Sequence, residues 1–179
     1  MKKGDRMSNT SFRLMAAIMD VQDILFSHLE KRVSQFGIRS GMTVVDYGCG
    51  PGRYTVFYSR LAGARGKVYA VDIHEMAIRS VNQKKEKYGL LNVEPVLAHG
   101  YASGLPAGMA DVVTAIDIFF AVQDQKAFLA ELRRIARPDG ILVIDDGHQA
   151  RRATKAQIAA ATGWTLFEES RDHLKYKPA

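Results

Sequence analysis

Short apolar runs alternate with longer amphipathic segments from residue 43 to residue 162, and this alternation constrains the fold more than any other feature. Residues 43–46, 67–72, 93–98, 111–116 and 141–144 read as strands. Residues 52–61, 75–88, 125–136 and 154–162 read as helices; Phe128, Leu129, Leu132 and Ile135, for example, share one helix face. Near-continuous apolar strands separated by helices predict an α/β fold, a parallel sheet covered on both faces. Pro95 removes a ladder donor and points to an edge position for the third strand. Residues 164–168 and 173–176 read as two closing strands. A parallel crossover needs about a dozen residues, so these two must pair antiparallel.

An opening helical region, residues 12–35, precedes the alternation. Its apolar residues Leu14, Ile18, Val21, Leu25, Leu29 and Val33 recur at spacings of three and four, and Gly37 and Gly41 end it. No repeat or linker breaks the rest. The expectation is one domain over residues 1–179, with a helical segment at 1–36 and a core at 41–179. With 47% hydrophobic residues, 179 residues suffice for a real core. Cys49 is the single cysteine, which excludes an internal disulfide and suits a reducing compartment. The basic, polar start lacks the apolar run of a secretory signal. No apolar stretch approaches the roughly 20 residues of a membrane span. A soluble, cytoplasmic protein is expected. The net charge of +6 raises the question of nucleic acid. The lysines and arginines are scattered, however, and Lys84-Lys85-Glu86-Lys87 and Arg133-Arg134 fall on amphipathic helices as solvated faces. Nucleic acid is therefore not the expected partner.

The first strand leads through Asp46-Tyr47-Gly48-Cys49-Gly50-Pro51-Gly52 into the first helix of the alternation. Glycines there let the backbone turn tightly and bring N–H groups close to a ligand. Pro51 is tolerated near a helix start. Such a turn can also be a turn and nothing more. A second signal lies twenty residues past Gly52, where Asp72 ends the second strand. An acid there can accept hydrogen bonds from both hydroxyls of a ribose; it can equally cap the next helix. Together the two point to a nucleoside ligand. A dinucleotide fingerprint reads Gly-x-Gly-x-x-Gly, whereas this turn reads Asp-x-Gly-x-Gly-x-Gly. Asp46 would repel a pyrophosphate but suit a cationic amino-acid moiety. S-adenosylmethionine carries a sulfonium and an ammonium and no phosphate, so the charge sign favours it over NAD.

At these residues the chain resembles the class I S-adenosylmethionine-dependent methyltransferases, and most nearly the small-molecule branch that includes the ubiquinone/menaquinone-biosynthesis enzymes. The resemblance runs from about Gly41 to Tyr176. It takes in Val45 to Gly52, Val71-Asp72-Ile73-His74, Leu105-Pro106, and Glu131-Leu132-Arg133-Arg134-Ile135-Ala136-Arg137-Pro138-Asp139-Gly140. It implies a Rossmann-like three-layer sandwich with a seven-stranded sheet in the order 3-2-1-4-5-7-6, the last strand antiparallel. It also implies S-adenosyl-L-methionine as cofactor, with Asp46 and Gly48 to Gly50 at the methionine moiety, Asp72 at the ribose and Ile73 beside the adenine. Tyr47, Cys49, Gly52, Gly100, Tyr101 and Asp117 complete the expected cofactor contacts. One departure stands out: the family's acid after the third strand, which meets the adenine amino group, is replaced by Tyr101 in His99-Gly100-Tyr101-Ala102.

Methyl transfer from a sulfonium needs alignment above all, and a base only where the acceptor sheds a proton. Reacting groups in open α/β sheets sit beyond the carboxyl ends of the strands. Asp117, Asp145, Asp146 and His148 fall there, and Asp117, Asp145 and His148 are the candidate catalytic residues. The competing readings are a cofactor contact or cap for Asp117, turn formation for Asp145 and Asp146, and a loop position for His148. Acids after strands four and five also resemble the metal ligands of the catechol O-methyltransferase group, and three oxygen donors would suit Mg²⁺. That group has an acid–amide pair where this chain has Asp145-Asp146, so no metal is expected. Asp117-Ile118-Phe119-Phe120 lacks the prolines that nucleic-acid amino methyltransferases carry there, and Cys49 lies in the turn rather than at a nucleophile position. Phe119 and Phe120 form either an acceptor wall or core. A small-molecule acceptor follows. The pocket is then open, or closed by residues 1–36 or by a second subunit in a homodimer. A cofactor-binding protein without catalysis is the alternative from another class.

Overall fold

The computed structural model of the protein describes residues 8–14 and 28–179. Val44 and Val45 of β1 (Thr43–Tyr47) are wholly buried, because a strand covered on both faces leaves neither side of its pleat to solvent. The same holds for most of β2 (Lys67–Asp72), β4 (Ala110–Ala115) and the end of β5 (Ala136–Ile144). These strands run parallel with the edge strand β3 (Val93–Leu97), where Pro95 sits as expected. β6 (Trp164–Glu169) and β7 (Leu174–Pro178) complete a seven-stranded sheet in the order β3-β2-β1-β4-β5-β7-β6. β7 is antiparallel to both of its neighbours. This is the sheet that the family resemblance implies.

Helices α1 (His28–Ser34), α2 (Arg53–Ala62) and α3 (Glu75–Tyr88) cover one face of the sheet. Their core joins Leu29, Val33, Phe36, Tyr58 and Val81 to Val44, Val68 and Val143. Helices α4 (Gln125–Ile135) and α5 (Arg151–Ala161) cover the other through Phe128, Leu129, Leu132, Ile135 and Ile158. Each face is sealed by its own apolar stripe, and the sheet divides the two cores. Asp124 begins α4 by accepting from the Ala127 N–H at 3.0 Å, and Gly89 ends α3 in the left-handed region.

Local differences from the sequence reading have physical causes. Arg137-Pro138-Asp139-Gly140 reads as a turn, yet Ala136 already pairs with Ala110, so β5 starts five residues early and the segment is a bulge. A Cβ on Gly140 would lie 2.7 Å from the Ala110 carbonyl oxygen, so the bulge needs glycine at that point. α5 begins at Arg151 rather than 154, and its first turn is held by an Arg151–Asp146 pair at 2.8 Å. In the opening region, residues 9–14 and α1 are helical, and Leu29 and Val33 face inward as spaced. Leu14 is 65% exposed, and Phe12 is buried in its stead. Ile18, Val21 and Leu25 lie outside the described residues. Among the described residues no helix is long and apolar enough to cross a membrane.

Candidate active site

β1 delivers the chain into a turn in which Gly48, Gly50 and Gly52 all have positive φ, at 78°, 51° and 81°. The turn is tied across to β2: the Gly48 and Cys49 N–H groups both donate to the Val71 carbonyl, at 2.7 and 3.1 Å. Asp72 sits directly beside it. One carboxylate oxygen accepts from the Gly50 N–H at 2.9 Å and the other from the His74 N–H at 2.8 Å. Burial raises this carboxyl above its ordinary value, and the two N–H groups work against that rise. The cap of α3 is His74, whose Nδ1 accepts from the Met76 N–H at 3.1 Å. Asp72 thus braces the glycine turn instead of capping the helix. Phe12 stacks on the His74 ring with centroids 4.8 Å apart, which brings residues 9–14 close to this end of the sheet.

A pocket of about 430 Å³, counting its open mouth, lies beside Asp72. Tyr47, Gly48, Asp72, Ile73, Gly100 and Tyr101 line it, and Ile118, Val122 and Phe128 close it with apolar surface. Six residues expected at a cofactor are therefore gathered around one cavity. The Tyr101 position is fixed twice: its carbonyl accepts from the Tyr47 hydroxyl at 2.5 Å, and its own hydroxyl accepts from the Asp124 N–H at 3.1 Å. Among the described residues nothing lies within 4 Å of where a Cβ would stand on Gly50 or Gly100.

The remaining expected contacts are placed differently. Cys49 is buried, and burial pushes its thiol well up, so it has no nucleophilic character. Gly52 packs against α3, with Val81 Cγ2 3.0 Å from a built Cβ. Asp46 lies beneath the turn instead of facing an open cleft. One oxygen accepts from the Thr55 hydroxyl at 2.5 Å and the other from the Thr114 hydroxyl at 3.4 Å. Burial pushes its carboxyl up to about 7, although both hydroxyls favour the ionised form. The acid whose charge argues against a pyrophosphate thus holds its proton to higher pH than an ordinary carboxyl. A native group with a raised value stabilises most below its unfolded value and loses that contribution as pH rises through the folded one. Wild-type protein should therefore lose stability relative to Asp46→Asn by up to about 1.4 kcal/mol per pH unit between roughly pH 4 and 7. Denaturant unfolding of both proteins across that range checks the slope; parallel curves would contradict it.

Beyond the carboxyl ends of β4 and β5 a second group of polar residues meets. Asp145 is buried, and one of its oxygens accepts from the Asp117 N–H at 2.9 Å. The other takes Arg32 Nη2 at 2.6 Å. Arg32 Nη1 donates to the Tyr54 hydroxyl at 2.6 Å, and its ring contact with Tyr54 spans 5.7 Å. Burial and the nearby Asp117 charge push Asp145 up to about 6, while the Asp117 N–H and Arg32 pull it down. Asp117 itself is exposed and does not line the pocket. Asp146 turns away to Arg151, and His148 is exposed against the Phe120 ring at 4.8 Å. His148 is thus separate from the Asp117–Asp145 pair, and Phe119 is core. Among the described residues no three His, Cys, Asp or Glu side chains gather as a metal set, and Arg32 already holds Asp145. Arg32 and Tyr54 are the residues that sequence reasoning missed. Neither belongs to a spacing pattern that would single it out.

A parallel sheet with a braced glycine turn and an acid at the end of β2 defines a nucleoside-binding α/β protein. A family model described as a methyltransferase domain matches residues 45–144, and the chain belongs to that family. The chain is 33% identical over 140 residues to the ubiquinone/menaquinone biosynthesis C-methyltransferase UbiE of Marinomonas sp. (strain MWYL1), covering 74% of this chain and 56% of that protein. The Escherichia coli K12 protein of the same name is 32% identical over 150 residues, with coverage of 80% and 59%. The chain thus spans less than three-fifths of the length of these relatives. A SAM-dependent methyltransferase from Aquifex aeolicus superposes with a TM-score of 0.82 at 25% identity, over 97% of this chain and 98% of that one. The [4+2]-cyclase SpnF shares the fold at a TM-score of 0.69 and 16% identity, over 79% and 57%.

Proposed function

We propose that the protein is an S-adenosylmethionine-dependent methyltransferase acting on a small molecule. The fold alone would not carry this, since a protein named as a cyclase shares it. The observation that carries it is the pocket. Asp72, Ile73, Gly100 and Tyr101 surround one largely apolar cavity next to the glycine turn, and among the described residues no lysine or arginine lines it. Such walls suit an adenosine and offer nothing to a pyrophosphate. Asp72 offers carboxylate oxygens to ribose hydroxyls, and Ile73, Ile118 and Val122 give apolar surface to a purine. Gly50 and Gly100 leave room for close approach. Asp46, beneath the turn, gains charge when a cation settles above it. Bound there, S-adenosylmethionine supplies an electrophilic methyl group.

The acceptor would meet the chain at the carboxyl end of β4 and β5, where Asp117 is exposed. The relatives' names describe carbon methylation in quinone biosynthesis; the shared family supports a small-molecule acceptor here. The stacking of Phe12 on His74 and the reach of Arg32 to Asp145 support a single domain whose opening helical segment covers this end. A cytoplasmic site of action accords with the single, buried cysteine.

Calorimetric titration with S-adenosylmethionine should show saturable binding. Labelled methyl transfer into a cell extract, followed by mass identification, should then yield a small labelled product. Lack of binding would overturn the reading. Binding without transfer to any of a broad acceptor panel would favour a non-catalytic role.

A further inference from the structure

We infer that Arg32 is a positioning residue for the acceptor: through Asp145 it fixes the turn that presents Asp117 to an acceptor bearing a hydroxyl or amine proton. This rests on the methyltransferase reading above.

Arg32 is firmly placed. Leu29 and Val33 bury α1 in the core, and the guanidinium is drawn over by Tyr54, Asp145 and the Asp172 carbonyl, the last at 3.1 Å. Residues from α2, from the end of β5 and from the approach to β7 thus converge on one side chain. A forked cation suits such a junction, because its planar donors fix direction as well as charge. The free oxygen of Asp145 then takes the Asp117 N–H.

Asp117 has φ of 57°, in the left-handed region that L-residues disfavour. The other described non-glycine residue with positive φ, Thr162, has ψ of 171° and ends α5. No helix ends at Asp117. What holds it is the charged acceptor behind its N–H. The outcome is an exposed carboxylate one residue away from Ile118, which lines the cofactor pocket.

A carboxylate at that point has work to do only when the acceptor loses a proton. The acceptor's lone pair takes the methyl group, the carbon–sulfur bonding pair stays on sulfur, and the acceptor's proton passes to the Asp117 carboxylate. Hydroxyl and amine acceptors meet this requirement. The groups facing Asp145 are Arg32 from α1, Tyr54 from α2, Asp117 after β4 and, across Arg32, His173 before β7. Without Arg32 two like charges stand together, so Asp145 holds its proton to higher pH and its grip on the Asp117 N–H weakens.

The test follows the Asp117 amide and the Asp117 and Asp145 carboxyl carbons by NMR through a pH titration. The proteins compared are wild type, Arg32→Gln and Arg32→Lys. In Arg32→Gln the Asp145 midpoint should rise by about one pH unit or more, and the Asp117 amide should report the same midpoint. Arg32→Lys should restore most of both. With the acceptor identified from the labelled extract, the acid limb of the kcat–pH profile should move upward by the same amount. Unmoved resonances, or a drop in kcat that is uniform across pH, would overturn the proposal. Should Arg32→Gln not fold, Asp145→Asn carries the test: it keeps an oxygen for the Asp117 N–H and removes the like charge beside Asp117, so the acid limb should move to lower pH, set by Asp117 alone; a limb left at the wild-type position would overturn the proposal. The two readings fail separately. Wild-type protein without affinity for S-adenosylmethionine ends the methyltransferase reading. Intact affinity with unmoved resonances ends this one alone.

Discussion

Asp72→Ala is expected to weaken S-adenosylmethionine binding by on the order of 100-fold or more, since two hydrogen bonds to a charged acceptor contribute about 1.5–3 kcal/mol each. Calorimetric titration measures it directly. Unchanged affinity would contradict the ribose assignment. The same substitution removes the partner of both the Gly50 and the His74 N–H groups. Leaving them unpaired costs about 1–3 kcal/mol each where water cannot reach. The unliganded variant should therefore melt lower than wild type, and it should gain far less from added cofactor. Asp72→Asn separates the two effects. Its amide keeps one acceptor oxygen but sets an N–H₂ against a donor, so the brace is half kept while the charge is lost.

The second large effect is expected at Gly48. Its φ of 78° disfavours any side chain by roughly 1–2 kcal/mol. An added Cβ would stand 2.2 Å from Ile118 Cδ1 and 3.2 Å from both Cβ and Cγ1 of that residue. Rotating the terminal methyl does not clear it; the whole side chain must shift, at about 1–3 kcal/mol for an overpacked site. Gly48→Ala should lose roughly 2–5 kcal/mol in denaturant unfolding. Gly50→Ala is the control, with nothing within 4 Å and φ of 51°, so only the backbone strain of roughly 1–2 kcal/mol remains. Ile118→Ala added to Gly48→Ala should recover part of the loss, because the two residues are in contact and their effects are not additive. Equal losses at both glycines would show that Ile118 does not confine Gly48.

The elements that could be read from the sequence are those whose apolar pattern is set by burial, on both faces for a central strand and along one stripe for a helix. β2 and α3 fall where the apolar pattern puts them, to the residue. The start of β5 could not be read, because Arg137-Pro138-Asp139-Gly140 has the local chemistry of a turn. Its bulge depends on a partner strand, β4, that lies elsewhere in the chain. The residues that line the pocket were legible for a related reason. Asp72, Ile73, Gly100 and Tyr101 each sit at or just past a strand end, and a parallel sheet gathers such ends on one edge. Asp46 was legible as an acid but not in its depth, since Thr55 and Thr114 enclose it from two other elements. The Arg32–Asp145 pair spans 113 residues and follows no period, so only the folded chain brings it into view.

Asp117 and Ile118 are neighbours in the chain, and they answer to different masters. Asp117 is tied through its backbone to Asp145 beyond β5, while Ile118 lies on Gly48 beside the pocket. A change at either position disturbs both ends at once, which leaves natural variation little freedom there. Arg32 and Tyr54 approach the acid cluster from other helices, and Arg32 donates to the Tyr54 hydroxyl, to Asp145 and to the Asp172 carbonyl. On the proposed function, a change of acceptor is thus easier from the covering helices than from the sheet.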